Sequence, residues 1–267
     1  MESGDSNFTI SNGGTTLYGN AGNNNVTIAA GVTDVILDQN IERIKFSGES
    51  SSYTFKQTGN MINVYDASGL IVKAPVQGDS DGTLLSFSNC TASTKLTGGV
   101  MTLGDTAVSS VSAGAITPST TISEPSTANV AKAKVFLGAG DDNFTVSNNG
   151  TTLYGNTGND AVTIATGITG VTLDQNIERI NFSGASNSYA FKQTGNLINV
   201  YDAANIKLLL AKAPVQGDND GTIFGFSDGI AEAHLTGGVM TLGGMAVSAG
   251  AATPLTLVGL AAADIGL

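Results

Sequence analysis

Apolar residues recur every nine positions through two long stretches of this chain. Phe8, Leu17, Val26, Val35, Ile44, Tyr53 and Ile62 mark the first stretch, and Phe144, Leu153, Val162, Val171, Ile180, Tyr189 and Ile198 mark the second. Most have a second apolar residue two places on, as at Ile10, Ile28, Leu37, Phe46, Phe55 and Val64, then Val146, Ile164, Leu173, Phe182, Phe191 and Val200. Residues two apart point to the same face of a strand. Gly, Asn, Asp and Thr fill the intervals, which makes those intervals turns. A short strand and a turn every nine residues predicts a β-solenoid with two strands per coil. A single coil cannot bury its inner face alone, so stacked neighbours supply the core.

Past these stretches the strict rhythm fades and the pattern predicts antiparallel strands. Thr58-Gly59-Asn60 lies between the alternating segments of Tyr53–Tyr65, a hairpin signal. Strands are expected at Leu70–Lys73, Thr83–Phe87, Thr94–Leu96 and Val100–Leu103, with a turn at Gly78–Gly82. This part reads as a small sheet or sandwich that continues or caps the solenoid. A cap has a physical reason, because an open solenoid end exposes unpaired backbone.

The two stretches are copies. Ser6 to about Val108 reappears as Asp142 to about Val247. LDQNIERIKFSG at Leu37–Gly48 returns as LDQNIERINFSG at Leu173–Gly184, and LTGGVMTLG occurs at both Leu96 and Leu235. The expected organisation is a first β module over 1–108, a Ser/Thr/Ala/Pro-rich linker over 109–133, a second β module over 134–250 and an apolar tail over 251–267. The fold class is all-β, with each module a short β-solenoid continuing into an antiparallel sheet. Copy one lacks a counterpart of the strand that Val135–Leu137 supplies before copy two, so one solenoid end is expected to be open.

Composition narrows the function. The 267 residues include 35 Gly, and only 12% are charged, which suits strands and turns better than long helices. Eleven Lys plus Arg stand against 22 Asp plus Glu, for a net charge of -11. Phosphate backbones are bound by clustered Lys and Arg; none occur, so nucleic acid is not an expected partner. No run of about 18 apolar residues exists to span a bilayer as a helix, so no membrane insertion is expected. Met1-Glu2-Ser3 shows no signal-peptide pattern and runs straight into repeat sequence, as in a piece of a longer chain. Cys90 is the single cysteine and rules out an intrachain disulfide; its counterpart is Gly229.

Candidate chemistry is sparse. His234 is the sole histidine and matches Lys95 in the other copy. There is no metal-type His cluster and no Gly-rich loop leading into a helix. No catalytic residues are assigned, and the chain is expected not to be an enzyme. Asp79-Ser80-Asp81-Gly82 and Asp218-Asn219-Asp220-Gly221 look like half of an EF-hand loop, but strand flanks and a missing closing Glu favour plain hairpin turns. Asp38, Glu42 and Arg43 recur as Asp174, Glu178 and Arg179, and are expected to pair or to cap turns at the junction between solenoid and sheet.

Two segments point to a metal. Leu137-Gly138-Ala139-Gly140-Asp141-Asp142-Asn143-Phe144-Thr145 fits x-G-x-G-x-D-x-U-x, where U is apolar. Gly155-Asn156-Thr157-Gly158-Asn159-Asp160-Ala161-Val162-Thr163 fits the related G-N-x-G-x-D-x-U-x. These resemble the calcium-binding nonapeptides of the RTX (repeat-in-toxin) β-roll family, over the first part of each copy. The resemblance implies an ion between turns of successive coils, held by Asp142 and Asp160 with backbone oxygens of Gly138, Gly140, Asn156 and Gly158. The Asp174–Glu178 turn departs from the motif and is a candidate extension of the ladder. Ser6 stands where Asp142 would be in copy one, and Asn24 where Asp160 would be. Calcium is therefore expected more in the second module than in the first, where Asn24 and its neighbours offer an ion-free Asn ladder. Tight turns also use Asp, Asn and Gly without any ion, so both readings stand.

The wider resemblance is to large, repetitive, acidic secreted bacterial proteins: RTX adhesins and surface-layer or matrix proteins. It implies an extracellular structural module that self-associates into a polymer or lattice through β-strand edges, with the apolar tail able to fill an open edge in a neighbour. Two alternatives remain. One is a carbohydrate- or surface-binding adhesin module, which would use exposed aromatics such as Tyr18, Tyr53 and Tyr65 to meet a surface glycan. Aromatics make up 6% of the chain with no Trp, which weakens that case. The other is an accessory domain of a type I-secreted enzyme.

Overall fold

The computed structural model describes residues 1, 3–4, 6–76, 82–118, 132–215 and 221–257. The chain divides into two compact units, Met1–Ala131 and Lys132–Leu267. Among the described residues both are all-β apart from one 3-10 turn each, at Ser50–Ser52 and Ser186–Ser188.

The first unit begins with β1 (Ser6–Ile10), β2 (Thr16–Leu17), β3 (Asn24–Ile28), β4 (Val35–Leu37) and β5 (Arg43–Phe46). Odd strands stack on one side and even strands on the other. β1, β3 and β5 pair in parallel, Phe8 opposite Val26 and Val26 opposite Ile44. β2 and β4 pair in parallel with Leu17 opposite Leu37. These are solenoid coils, and their nine-residue marker positions all point inward. Val26, Val35 and Ile44 are 0% exposed.

The chain then leaves the coil path. β6 (Thr54–Thr58), β7 (Met61–Asp66) and β8 (Gly69–Pro75) form an antiparallel meander that returns β8 to a parallel place beside β4. β9 (Thr83–Ser86) takes the place beside β5, also in parallel. From it β10 (Thr91–Thr97), β11 (Val100–Leu103) and β12 (Thr106–Ala107) run antiparallel. β13 (Gly114–Ala115) closes the other sheet against β6. The result is two sheets, each parallel at one end and antiparallel at the other: β1-β3-β5-β9-β10-β11-β12 and β13-β6-β7-β8-β4-β2.

The second unit repeats this plan. Its coils are β14 (Lys134–Phe136), β15 (Asn143–Val146), β16 (Thr152–Tyr154), β17 (Ala161–Ile164), β18 (Val171–Leu173) and β19 (Arg179–Phe182). The meander is β20 (Tyr189–Thr194), β21 (Leu197–Asp202) and β22 (Leu209–Pro214). The rest is β23 (Thr222–Phe226), β24 (Gly229–Thr236), β25 (Val239–Leu242), β26 (Met245–Ala246) and β27 (Thr253–Pro254). The sheets are β14-β16-β18-β22-β21-β20-β27 and β15-β17-β19-β23-β24-β25-β26. The meander inserts where the coils would otherwise continue, so Arg179 of β19 faces Ile223 of β23 far along the chain.

The sheets of a unit are held face to face by apolar packing and one polar clamp. Phe46, Tyr53, Phe55 and Phe87 cluster, with ring centroids 5.1 Å apart for Phe46–Tyr53 and 5.9 Å for Phe55–Phe87. Phe182, Tyr189, Phe191 and Phe226 repeat the cluster. Buried Gln57 on β6 donates to the carbonyls of Gly59 and Gly99 and accepts from Met101 N of β11 at 3.0 Å. Gln193 does the same with Gly195, Gly238 and Met240.

Three differences from the sequence reading matter. The sheet continues past residue 108: β13 falls inside the stretch assigned to the linker, and Ile116 is buried, because the first strand of the meander, β6, needs an edge partner. The stretch assigned to the tail likewise supplies β27, and Leu255 is 8% exposed in the second core. Tyr53 is 7% exposed within the aromatic cluster, so it offers no platform to a glycan. Asp79–Asp81 and Asp218–Asp220 of the two acidic turns, most of the linker and the last ten residues of the tail lie outside the described residues.

Candidate metal centre in the turn ladder

The turns on one side of each solenoid stack directly, because consecutive coils are in register. In the second unit the stacked turns are 137–142, 155–160 and 174–178. Backbone bonds tie them: Gly140 N donates to Thr157 O at 2.6 Å, Ala161 N to Asp142 O at 2.8 Å, and Glu178 N to Asp160 O at 3.1 Å. The coils approach closely at Gly155, where an added Cβ would overlap the Asn176 carbonyl. Only glycine lets the backbones meet there.

Carboxylates complete the ladder by accepting backbone N–H groups. Asp160 is 0% exposed. Its Oδ1 accepts from Asp142 N and its Oδ2 from Asn156 N, both at 3.1 Å, so one side chain ties two turns eighteen residues apart. Glu178 Oε2 accepts from Asp160 N at 2.7 Å. Asp174 Oδ1 accepts from Gly155 N at 2.9 Å, and Asp141 Oδ1 from Asn159 N at 2.8 Å. The expected role of Asp174 and Glu178 at the junction is thus turn capping across coils. Asp38 and Glu42 repeat it, accepting from Gly19 N at 2.8 Å and Asn24 N at 2.5 Å. Arg179 Nε donates to Asn181 Oδ1 at 2.9 Å.

The residues expected to hold calcium are brought together in part. Asp142 and Asp160 meet through the bond just described. Asp142 Oδ2 is buried with no hydrogen-bond partner, and it sits beside Gly138, where a Cβ would lie 3.3 Å away. Gly140 and Gly158 come into backbone contact between successive turns. A buried carboxylate oxygen without a partner suits an oxygen-seeking cation. Among the described residues, no three His, Cys, Asp or Glu side chains converge as a metal-holding group. Any ion here would therefore rely mainly on backbone oxygens.

The first unit closes the same ladder differently. Asn24, also 0% exposed, turns its Nδ2 to the carbonyls of Asn20, Gly22 (3.3 Å) and Asn40 (2.9 Å). Those three oxygens were not singled out in the sequence, because the motif that named backbone oxygens in the second copy is degenerate in the first.

Elsewhere, His234 Nε2 lies 3.2 Å from Glu232 Oε2 on β24, both partly exposed. Cys90 is half-buried and free. Phe136 is 72% exposed and stacks on Tyr154 at 4.9 Å with an interplanar angle of 11°. Tyr18, the counterpart of Tyr154, is 67% exposed. No helix among the described residues is long and apolar enough to cross a membrane.

No protein-family profile matches the chain, and no curated protein matches it. Among solved structures, the extracellular lipase LipA of Serratia marcescens is similar at 16% identity with a TM-score of 0.25, covering 79% of this chain. The chain spans 36% of that lipase's length. A likeness this weak carries no argument about activity; the β-solenoid assignment stands on the strand register described above.

Proposed function

We propose that the chain is a non-enzymatic structural part of an extracellular bacterial surface, matrix or filament protein, whose units associate through open sheet edges. The observation that carries this is the edge of β2. In the second unit Thr152-Leu153-Tyr154 receives β14 in parallel: Thr152 N donates to Ala133 O at 2.8 Å and Leu137 N to Tyr154 O at 2.9 Å. The first unit carries the same triplet, Thr16-Leu17-Tyr18, at the edge of its sheet. There Tyr18 O accepts from the Met1 amino group at 2.7 Å. An edge already shaped to accept a parallel strand is suited to β-strand addition by a neighbour.

Thr16→Pro tests this, since proline removes the N–H that the added strand needs and is tolerated on edge strands. The variant is expected to keep the wild-type circular dichroism and to stay monomeric in sedimentation and electron microscopy where the wild type assembles. Undiminished assembly would sink the reading.

Calcium is proposed as reinforcement of the second unit, held by Asp142 and Asp160 with backbone oxygens of Gly138, Gly140, Asn156 and Gly158. The partnerless Asp142 Oδ2 supports it. Calcium chloride is expected to raise the melting temperature and chelator to lower it, because a ligand bound only by the folded state stabilises by mass action. A second reading makes the units accessory domains of a secreted enzyme. The lipase named above is such an extracellular enzyme, and the test is whether a larger parent chain carries a hydrolase domain beside these units. Glycan binding is favoured by no comparable observation beyond the Phe136–Tyr154 pair.

A further inference from the structure

The two units run one turn ladder with different chemistry at one position, which makes each a control for the other. In the first unit the two N–H groups of the Asn24 amide are shared among three backbone carbonyls from two successive turns, those of Asn20, Gly22 and Asn40. Its Oδ1 is buried with no hydrogen-bond partner, so the amide is oriented by its donor end alone. In the second unit Asp160 has no side-chain N–H to offer. Its oxygens instead accept from Asp142 N and Asn156 N. The counterpart carbonyls are those of Asn156, Gly158 and Asn176, and among the described residues no hydrogen bond ends on any of them.

Convergent carbonyl oxygens make a pocket of negative potential. An –NH2 group fills it with partial positive charge; a carboxylate adds oxygens to oxygens and leaves room only for a cation that prefers oxygen. We propose that the Asn24 side-chain amide is a built-in substitute for a divalent cation, which makes the first unit's ladder independent of ions. This rests on the calcium reading of the second unit for its chemical analogy, and it adds the Asn176 carbonyl to the oxygens facing the ion there. Ser6 in place of Asp142 fits the same logic. Its hydroxyl donates to Gly4 O at 3.1 Å, so it serves as a donor to the turn and brings no charge.

The test is calorimetric melting of the full chain in EDTA, in magnesium chloride and in calcium chloride. Asn24→Asp is expected to lower the first unit's transition in EDTA and to regain it in calcium. Asn24→Ala, which removes the amide without adding a carboxylate, is expected to lower it equally in all three. Ser6→Asp/Asn24→Asp, which restores the carboxylate pair, is expected to show the largest calcium response. If Asn24→Asp melts like wild type in EDTA, or if calcium fails to restore it, the substitution idea is overturned. Should Asn24→Asp not fold in EDTA, refolding on addition of calcium supports the proposal and failure to refold overturns it. Asp160→Asn separates the two readings: it is expected to make the second transition indifferent to calcium and chelator. A wild-type second transition that already ignores calcium, beside an Asn24→Asp chain that responds, would remove calcium from the second unit and still support the role assigned to Asn24.

Discussion

At the scale of single residues, a few polar side chains decide how two apolar sheets lock together. Gln57 illustrates the magnitude. Truncating it to alanine leaves the Met101 N–H without its acceptor inside the core and frees two carbonyls. One orphaned buried donor costs about 1–3 kcal/mol. Gln57→Ala and Gln193→Ala are each expected to lose ~2 kcal/mol by urea denaturation, read from the midpoint at constant m-value. A loss below the error of the measurement would mean that water replaces the clamp. Tyr189 gives a pH signature. Its hydroxyl accepts from Gly184 N at 2.8 Å, and burial is the main cause that pushes its pKa above the ordinary 10.0. A phenol harder to ionise when folded contributes stability fully present below the unfolded pKa and lost as pH rises through the folded one. Alkaline titration is therefore expected to destabilise the second unit from about pH 10 upward, and Tyr189→Phe is expected to flatten that slope.

At the scale of elements, burial separates strands that carry the fold from strands that only extend it. Phe191 of β20, paired on both sides by β21 and β27, is 0% exposed. Phe136 of β14 is largely exposed and keeps one ring contact. Phe191→Ala is expected to cost about 3–5 kcal/mol, as large core aromatics do. Phe136→Ala is expected to cost about 1 kcal/mol, the worth of an aromatic pair. Equal losses in thermal melts would contradict the assignment of β14 as an edge addition. The nine-residue rhythm made most of these strands legible in advance, since side-chain alternation follows from strand geometry alone. It continued without a break through Tyr53 and Ile62, and it was the Thr58-Gly59-Asn60 turn, not the rhythm, that marked the antiparallel hairpin of β6 and β7 in advance. A strand's own pattern records which face is buried and says nothing of the direction of its neighbour. Short β13 and β27 were not legible for another reason: Gly114-Ala115 and Thr253-Pro254 have no alternation to read and are strands only because β6 and β20 present an edge.

At the scale of the whole molecule, each unit has its own two sheets and its own core, within the size range of an independent domain. Residues 1–131 and 132–267 expressed separately are each expected to fold with a β-type circular dichroism spectrum. Their melting temperatures are expected to match the two transitions of the full chain. An unfolded half would show that the duplication had made one cooperative body out of two copies.

The candidate site was half legible. Asp142 and Asp160 were visible as a spaced motif, and the structure joins them through Asp160 Oδ1. The backbone oxygens of Gly138, Gly140, Asn156 and Gly158 came with that motif, whereas the Asn176 carbonyl lies outside it and carries no sequence signal of its own. The sequence by itself determined that the protein is all-β, that it is built twice, and which residues face inward, since these follow from periodicity and repetition along the chain. Only the tertiary structure decided that β8 and β9 return to parallel places beside β4 and β5, and that the buried amide of Asn24 and the buried carboxylate of Asp160 do opposite chemistry in the same place. Those outcomes depend on which backbone groups meet across coils eighteen residues apart, and nothing local in the chain encodes them.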